Sequence, residues 1–120
     1  MIQETMPGFD EYQELALRTA SKESLVDAPT MLNAAALGLN GEAGEIADHV
    51  KKIMYHGHPF DDATRDKIAK EIGDILWYCA MGARGIGMTL GEVAVMNVEK
   101  LKKRYPAGFS TERSLNRPHG

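Results

Sequence analysis

The chain has 120 residues, of which 43% are hydrophobic, so it suits one domain with a modest core and is too short for two ordinary domains. Its net charge of −3 argues against the broad basic face of a general nucleic-acid-binding protein. No apolar run approaches the roughly 18 residues that span a bilayer, and residues 1–5 lack the layout of a signal peptide. We therefore expect one cytoplasmic domain that binds neither nucleic acid nor membrane.

Apolar residues recur at three- and four-residue spacing along nearly the whole chain, which predicts an all-α fold. Four helices are predicted, and their approximate ranges are 10–20, 30–55, 61–82 and 89–105. Residues 107–120 are mostly polar and are predicted to form an irregular tail of the same domain, which spans 1–120.

The helix boundaries rest on residues that start or stop helices. Gly57 and Pro59 end the long second helix, and Asp61 or Asp62 caps the third. Thr89 and Glu92 have the spacing of a capping box at the start of the fourth. The four helices are expected to form a bundle, and because a core of this size is small, we expect a homo-oligomer.

Two pairs of acidic residues lie on successive predicted helices. Glu42 and Glu45 lie about 60° apart on a helical projection, at the border of the apolar stripe. Glu71 and Asp74 repeat this arrangement on the third helix. The sequence therefore predicts four carboxylates along the edges of two buried helix faces.

Two features favour a functional role for these acids over the solvated role of most Glu and Asp residues. Gly44 and Gly73 lie mid-helix, where glycine costs about 1 kcal/mol relative to alanine, so something is expected to approach the backbone closely there. Acids at this spacing also repel each other, and neither pair has a Lys or Arg four positions later. We predict a site for Mg²⁺, or Mn²⁺ in its place, because these ions take hard oxygen ligands.

A polar and cationic strip is predicted on the fourth helix, where Asn97, Lys100 and Arg104 share a sector of about 60°. Such a strip suits phosphate groups, to which arginine offers a bidentate fork. Lys52 lies on the same side of its helix as Glu45 and is a further phosphate-binding candidate, although a solvated lysine is the commoner role. His49 projects between Glu42 and Glu45 as a ligand, a phosphate donor or an edge residue.

With these residues in place, the chain resembles the MazG-like family of all-α nucleoside triphosphate pyrophosphohydrolases. The family pattern is Glu-x-x-Glu, a spacer, then Glu-x-x-Asp. Here the spacer between Glu45 and Glu71 has 25 residues, 46–70. The segment 97–110 also resembles short, single-domain members, including phage-type ones, and the resemblance extends from about Phe9 to Arg117.

The resemblance implies hydrolysis of (d)NTPs between the α- and β-phosphates to (d)NMP and pyrophosphate, with Mg²⁺ held by the four acids. It implies that Asn97, Lys100 and Arg104 lie near the bound phosphates and that the functional unit is a homodimer or homotetramer. Some relatives activate water with an extra Glu just before the first metal-binding Glu, where this chain has Gly41. Glu42 and Glu45 are therefore the candidate catalytic proton acceptors.

Two alternative functions stay open at this point. A diphosphatase directed at dUTP or dCTP shares the acid pattern and differs in its base pocket, for which Tyr12, Gln13 and Ala16 on the first helix are possible neighbours. A non-catalytic, nucleotide-sensing helical module would bind nucleotide with metal and show no turnover. Four converging carboxylates count against that module, because binding alone gives no evident need for them.

Overall fold

The computed structural model describes residues 6–117, which form five α-helices and no β-strand. The helices are α1 (Phe9–Leu17), α2 (Ala28–Tyr55), α3 (Asp62–Gly85), α4 (Leu90–Arg104) and α5 (Thr111–Leu115). The all-α prediction is confirmed for this range. No helix in the described range is long and apolar enough to cross a membrane. The predictions for residues 1–5 and for 118–120 of the tail lie outside the described residues.

Side-chain caps determine where the helices begin. Asp27 Oδ1 accepts a hydrogen bond from the Thr30 amide at 2.8 Å, and Asp61 Oδ1 accepts one from the Thr64 amide at 2.9 Å. Thr89 starts α4 with the predicted capping box. Helix α2 begins two residues earlier than predicted, because Asp27 caps it and the following proline falls in the first turn, where no amide donor is required.

Two helix ends differ from the predicted ones. Helix α1 ends at Leu17, because the Thr19 hydroxyl and amide both bond back to the Ala16 carbonyl and tighten the chain into a turn. Helix α3 continues to Gly85 and stops before Gly87, which has a φ of 75°.

The tail that was predicted to be irregular contains the short helix α5. Ser110 caps it by accepting a hydrogen bond from the Arg113 amide at 3.1 Å. The Arg113 guanidinium donates to the carbonyl oxygens of Lys103 and Arg104, which are among the unpaired carbonyls at the end of α4. The tail is thereby fastened to the last turn of α4.

Helices α2 and α3 pack antiparallel and form the main helix pair, while α1 lies against α3 and the start of α4. The core is small and rich in alanine. Its buried hydrophobic residues are Ala16, Leu17, Ala35, Ala80, Met81, Ala83 and Leu90. Helix α4 reaches this core through Leu90, whereas Val95, Met96 and Val98 on its later turns are exposed.

Gln13 fastens α1 to two other helices. Its side chain is only 3% exposed, and its Nε2 donates to the Ala80 carbonyl at 3.1 Å and the Met88 carbonyl at 3.4 Å. Its Oε1 accepts from the Leu90 amide at 3.1 Å. One buried amide side chain therefore satisfies backbone groups at the end of α3, in the loop and at the start of α4.

We expect Gln13→Ala to lower the free energy of unfolding by about 1–3 kcal/mol or more. This is the usual cost of leaving one buried polar group without a partner, and the variant leaves several. Urea unfolding followed by circular dichroism at a fixed protein concentration measures the change. Glu11→Ala on the exposed side of the same helix is the matched control and should change stability little. Equal unfolding midpoints for wild type and Gln13→Ala would contradict the role of Gln13.

Candidate metal site

Three of the four predicted acids converge between α2 and α3. Glu42 from α2 and Glu71 and Asp74 from α3 each offer one carboxylate oxygen, and these oxygens lie within 4.8 Å of one another. Glu42 and Glu71 are half-buried, and Asp74 is exposed. The antiparallel packing of α2 and α3 brings together residues that are about 30 positions apart in the chain.

Glu45 lies outside this group and is exposed. A step of three residues turns its side chain about 60° around α2 from Glu42, and here that turn carries it towards solvent. Its charge still acts on the group, because it contributes to a raised pKa of Glu42.

The environment of Glu42 suits a cation. Burial is the main cause that raises its pKa, and the negative charges of Glu71 and Asp74 raise it further. Its Oε2 is buried without a hydrogen-bond partner, which costs free energy unless another group supplies positive charge or a donor. Because the donor atoms are hard carboxylate oxygens, the group fits Mg²⁺ or Mn²⁺.

His49 lies at the edge of the acid group. Its Nε2 is 3.9 Å from Oε2 of Glu71, close enough for an ion pair when the imidazole is protonated. Of the roles left open by the sequence, this position favours a residue that borders the acids from α2.

A cleft of about 380 Å³ opens beside the acids and is lined by Thr19, Glu42, Asp74, Trp77 and Tyr78. The Trp77 indole is held in place, because Nε1 donates to the Ala16 carbonyl and to the Thr19 hydroxyl, both at 2.9 Å. The Trp77 and Tyr78 rings meet edge to face with centroids 5.1 Å apart. The acids therefore face a cleft with a rigid aromatic wall.

Thr19, Trp77 and Tyr78, which line the cleft, were not among the site residues predicted from the sequence. A signal was present for Trp77 and Tyr78, which follow Asp74 by three and four positions and so share its helix face. Thr19 carried no such signal, because it comes from the turn after α1 and reaches the cleft only through tertiary packing.

The predicted phosphate-binding strip lies elsewhere. Asn97 and Lys100 line a second cleft of about 540 Å³, together with Leu76 and Cys79 of α3. On a helical projection, Leu76 and Cys79 lie about 140–200° from Asp74. Helix α3 therefore separates this part of the strip from the acids of the same chain.

Arg104 and Lys52, the other predicted phosphate contacts, have different surroundings. Arg104 is half-buried, and its Nε is buried without a hydrogen-bond partner. The Lys52 ammonium pairs with Asp48 at 2.8 Å, and Lys51 pairs with the same carboxylate at 3.2 Å. These contacts lower the pKa of Asp48 and raise that of Lys52, mainly through the hydrogen bond between the two.

The three residues predicted as base neighbours belong to the α1 interface. The Gln13 amide is fully used by backbone groups, and Ala16 is buried. Tyr12 is half-buried, and burial raises its pKa, with smaller contributions from Cys79 and Asp74. Of the three, Ala16 contacts the lining of the acid cleft, through the hydrogen bond that its carbonyl accepts from Trp77.

The mid-helix glycines differ in what surrounds them. No described atom lies within 4 Å of a Cβ built at Gly44 or Gly73, so the described part of the chain does not make the close approach predicted at these positions. The close approach occurs at Gly38 instead, where a Cβ would overlap the Tyr78 ring.

We expect Glu42→Gln to raise the melting temperature of the metal-free protein at about pH 7. The raised pKa means that Glu42 holds its proton more tightly in the folded chain, so its contribution to stability falls as the pH rises through that pKa. The difference between variant and wild type should close below the ordinary glutamate pKa of about 4.3. Thermal unfolding in chelator across this pH range tests this, with Asp66→Asn on α3 as the control. A wild type more stable than the variant at neutral pH would contradict it.

Comparisons with known proteins show the family to which the chain belongs. The MazG nucleotide pyrophosphohydrolase domain matches residues 31–109, which include all four predicted acids. The "Gene 37 protein" of Mycobacterium phage L5 is 36% identical over 111 residues, which cover 90% of this chain and 97% of that protein. No solved structure matches the chain. The resemblance recognised in the sequence is confirmed, and the chain belongs to the family of the MazG nucleotide pyrophosphohydrolase domain.

Proposed function

We propose that the chain is a cytoplasmic, Mg²⁺-dependent nucleoside triphosphate pyrophosphohydrolase that cleaves (d)NTPs between the α- and β-phosphates to (d)NMP and pyrophosphate. Membership of the family supports the reaction class. The observation that carries the proposal is the convergence of Glu42, Glu71 and Asp74 within 4.8 Å. The buried, unpartnered Oε2 of Glu42 adds a physical reason for this group to hold a cation.

Glu42, Glu71 and Asp74 are the residues that would hold Mg²⁺, for which Mn²⁺ substitutes, with Glu45 as a further ligand at the exposed edge. When bound, the ion neutralises charge on phosphoryl oxygens and lowers the pKa of water. Glu42 or Glu45 accepts the proton from the attacking water, because Gly41 offers no carboxylate for that task.

The cleft beside the acids is the proposed place of the nucleoside. Its volume of about 380 Å³ lies within the usual range for small-molecule pockets, roughly 300–1,000 Å³. Trp77 and Tyr78 provide an aromatic wall next to Glu42 and Asp74, and Thr19 provides a hydroxyl. A base and sugar would thus bind beside the group that holds the phosphates.

The proposal includes self-association as a homodimer or homotetramer. The accessible surface of the chain is 8861 Å², against about 6,400 Å² for a compact folded monomer of its mass. Part of the exposed apolar surface is on α4, where Val95 is 58% and Met96 61% exposed. A second copy of the chain would cover such a surface and enlarge a core that consists mainly of alanine.

Self-association also offers a role for the strip on α4. Asn97 and Lys100 lie on the opposite side of α3 from the acids, so they do not face the acid cleft of their own chain. We propose that the strip, with Arg104, binds the phosphates of a nucleotide held by the acids of another copy. The exposure of residues 95–103 supports this arrangement, because their side chains remain largely accessible within the described chain.

We expect metal-dependent release of (d)NMP and pyrophosphate when a panel of nucleoside triphosphates is incubated with Mg²⁺, Mn²⁺ or chelator. Glu42→Gln and Asp74→Asn should each lower turnover by more than about 100-fold, because even residues that only support metal ligands cost about 10–100-fold. Glu45→Gln should also abolish turnover if Glu45 is an essential ligand. Ion-exchange chromatography identifies the products.

The control for these variants is Asp66→Asn, which changes an exposed acid on α3, the helix of Asp74, and should leave turnover near that of wild type. Release of orthophosphate and a nucleoside diphosphate would contradict cleavage between the α- and β-phosphates. If no nucleotide is turned over with either metal, the proposed enzymatic function is refuted and a nucleotide-sensing module is favoured.

We expect two inactive variants, Glu42→Gln and Asn97→Ala/Lys100→Ala, to regain activity when mixed and allowed to exchange subunits. In a randomly mixed dimer, half of the dimers contain both variants and one of their two sites is intact, which gives about a quarter of wild-type activity. Light scattering after size exclusion measures the mass, and co-purification with a tagged copy confirms mixing. A monomeric mass, or mixed oligomers without recovered activity, would contradict the shared site.

A further inference from the structure

Tyr78 on α3 lies flat against Gly38 on α2. A Cβ built at Gly38 would overlap three atoms of the Tyr78 ring, Cδ1, Cε1 and Cζ. Other glycines along the α2–α3 interface have looser contacts: a Cβ at Gly82 would be 3.3 Å from the Ala35 Cβ. The ring therefore touches the α2 backbone at a position where any side chain on α2 would push the two helices apart.

This contact lies next to the acids. Gly38 precedes Glu42 by four residues and Tyr78 follows Asp74 by four, so in the antiparallel pair the contact is about one helical turn, roughly 6 Å, from the acid group. Gly44 and Gly73, which are close to the acids in the sequence, have no described atom from outside the neighbouring helix backbone within 4 Å of a built Cβ. Among these glycine positions, the tight one nearest the acids is Gly38.

The Tyr78 ring also contacts Trp77, whose own position is held by hydrogen bonds. Trp77 meets it edge to face at an interplanar angle of 82°, and the Trp77 indole is fixed by hydrogen bonds to Ala16 and Thr19 at the end of α1. Aromatic rings have few rotatable bonds, and this one has the α2 backbone on one face and a fixed indole at its side. Its position is therefore determined by three parts of the fold.

The acids repel one another, so packing contacts beside them must hold α2 and α3 at a fixed separation. Glu42, Glu71 and Asp74 all carry negative charge when ionised, and mutual repulsion pushes α2 away from α3 at this point. His49 opposes this only when protonated, and at 3.9 Å from Glu71. A metal site also requires its ligands to be held within about 0.5 Å of the working geometry by packed neighbours.

We propose that Tyr78, seated on Gly38 and braced by Trp77, sets the separation of α2 and α3 and thereby positions Glu42 against Glu71 and Asp74. Tyr78 and Gly38 are positioning residues in this inference, which rests on the proposed function only in that the acids hold a metal ion. The spacing itself is a property of the chain without metal or nucleotide.

Mn²⁺ affinity of the nucleotide-free protein, measured by electron paramagnetic resonance, tests the inference without turnover. Gly38→Ala and Tyr78→Ala should each weaken binding by roughly 10-fold or more, because one forces the helices apart and the other removes the spacer. Tyr78→Phe keeps the ring and should bind within about twofold of wild type. Binding by Tyr78→Phe as weak as by Tyr78→Ala would overturn the inference, because the hydroxyl would then be the active group.

Gly82→Ala is the matched control for Gly38→Ala. It adds the same methyl group to the same helix pair, but eight residues from Asp74, which is about 12 Å along α3. It should therefore leave Mn²⁺ affinity near that of wild type even if it lowers the melting temperature. A loss of Mn²⁺ affinity in Gly82→Ala equal to that in Gly38→Ala would overturn the inference, since any disturbance of the interface would then suffice.

The double variant Gly38→Ala/Tyr78→Ala tests whether the two residues act through each other. Removal of the ring makes room for the new methyl group. The fold-loss of Mn²⁺ affinity in the double variant should therefore be smaller than the product of the fold-losses in the two single variants. Effects that simply multiply would contradict direct coupling.

Crystal structures of metal-free wild type and Gly38→Ala separate this inference from the proposed function. The distance between the Cα atoms of Glu42 and Asp74 should be larger in the variant. A larger distance in the variant, together with a wild type that binds no Mn²⁺, would support the spacing role and refute the metal site. An unchanged distance together with unchanged Mn²⁺ affinity would overturn the spacing role and leave the metal site intact.

Discussion

The close antiparallel contact between α2 and α3 is the interaction on which the rest of the structure depends. Small residues on facing turns, such as Ala35 and Gly82, let the two backbones approach, and Gly38 allows the Tyr78 ring to lie on α2. One turn further along, the same pair of helices presents carboxylates in place of small side chains. The same pair of helices therefore contributes closely packed small residues to the core and, one turn further along, the acids of the candidate metal site.

The turns of α2 and α3 that carry the acids depart from the close packing and the pairing of polar groups that stabilise the rest of the interface. Three carboxylates face each other, and an oxygen of Glu42 is buried without a partner. Local departures of this kind concentrate at functional sites, where the surrounding structure holds them in place. Here that support comes from α1, which is fastened to α3 and α4 by Gln13 and to the aromatic wall through the bond between Ala16 and Trp77.

Helix α4 has two roles in this arrangement. Its first turn completes the core through Leu90, and the backbone amides of Leu90 and Gly91 donate to the side-chain oxygens of Gln13 and Asp10. Its later turns carry exposed apolar residues together with Asn97 and Lys100, on the far side of α3 from the acids. A domain with so small a core and so exposed a helix gains most from a second copy, and the proposed shared site follows from the same geometry.

The all-α class, the cap at Thr89, a cap at Asp61 or Asp62, and the two acid pairs were predictable from the sequence, because helix periodicity and capping depend on residues close together in the chain. The sequence did not determine that Glu45 stands outside the converging group or that Gln13 is consumed by backbone contacts. Those features depend on how each helix is rotated about its axis and on the register of α2 against α3. Contacts between residues that are distant in the chain set the rotation and the register, and local sequence patterns do not reveal such contacts.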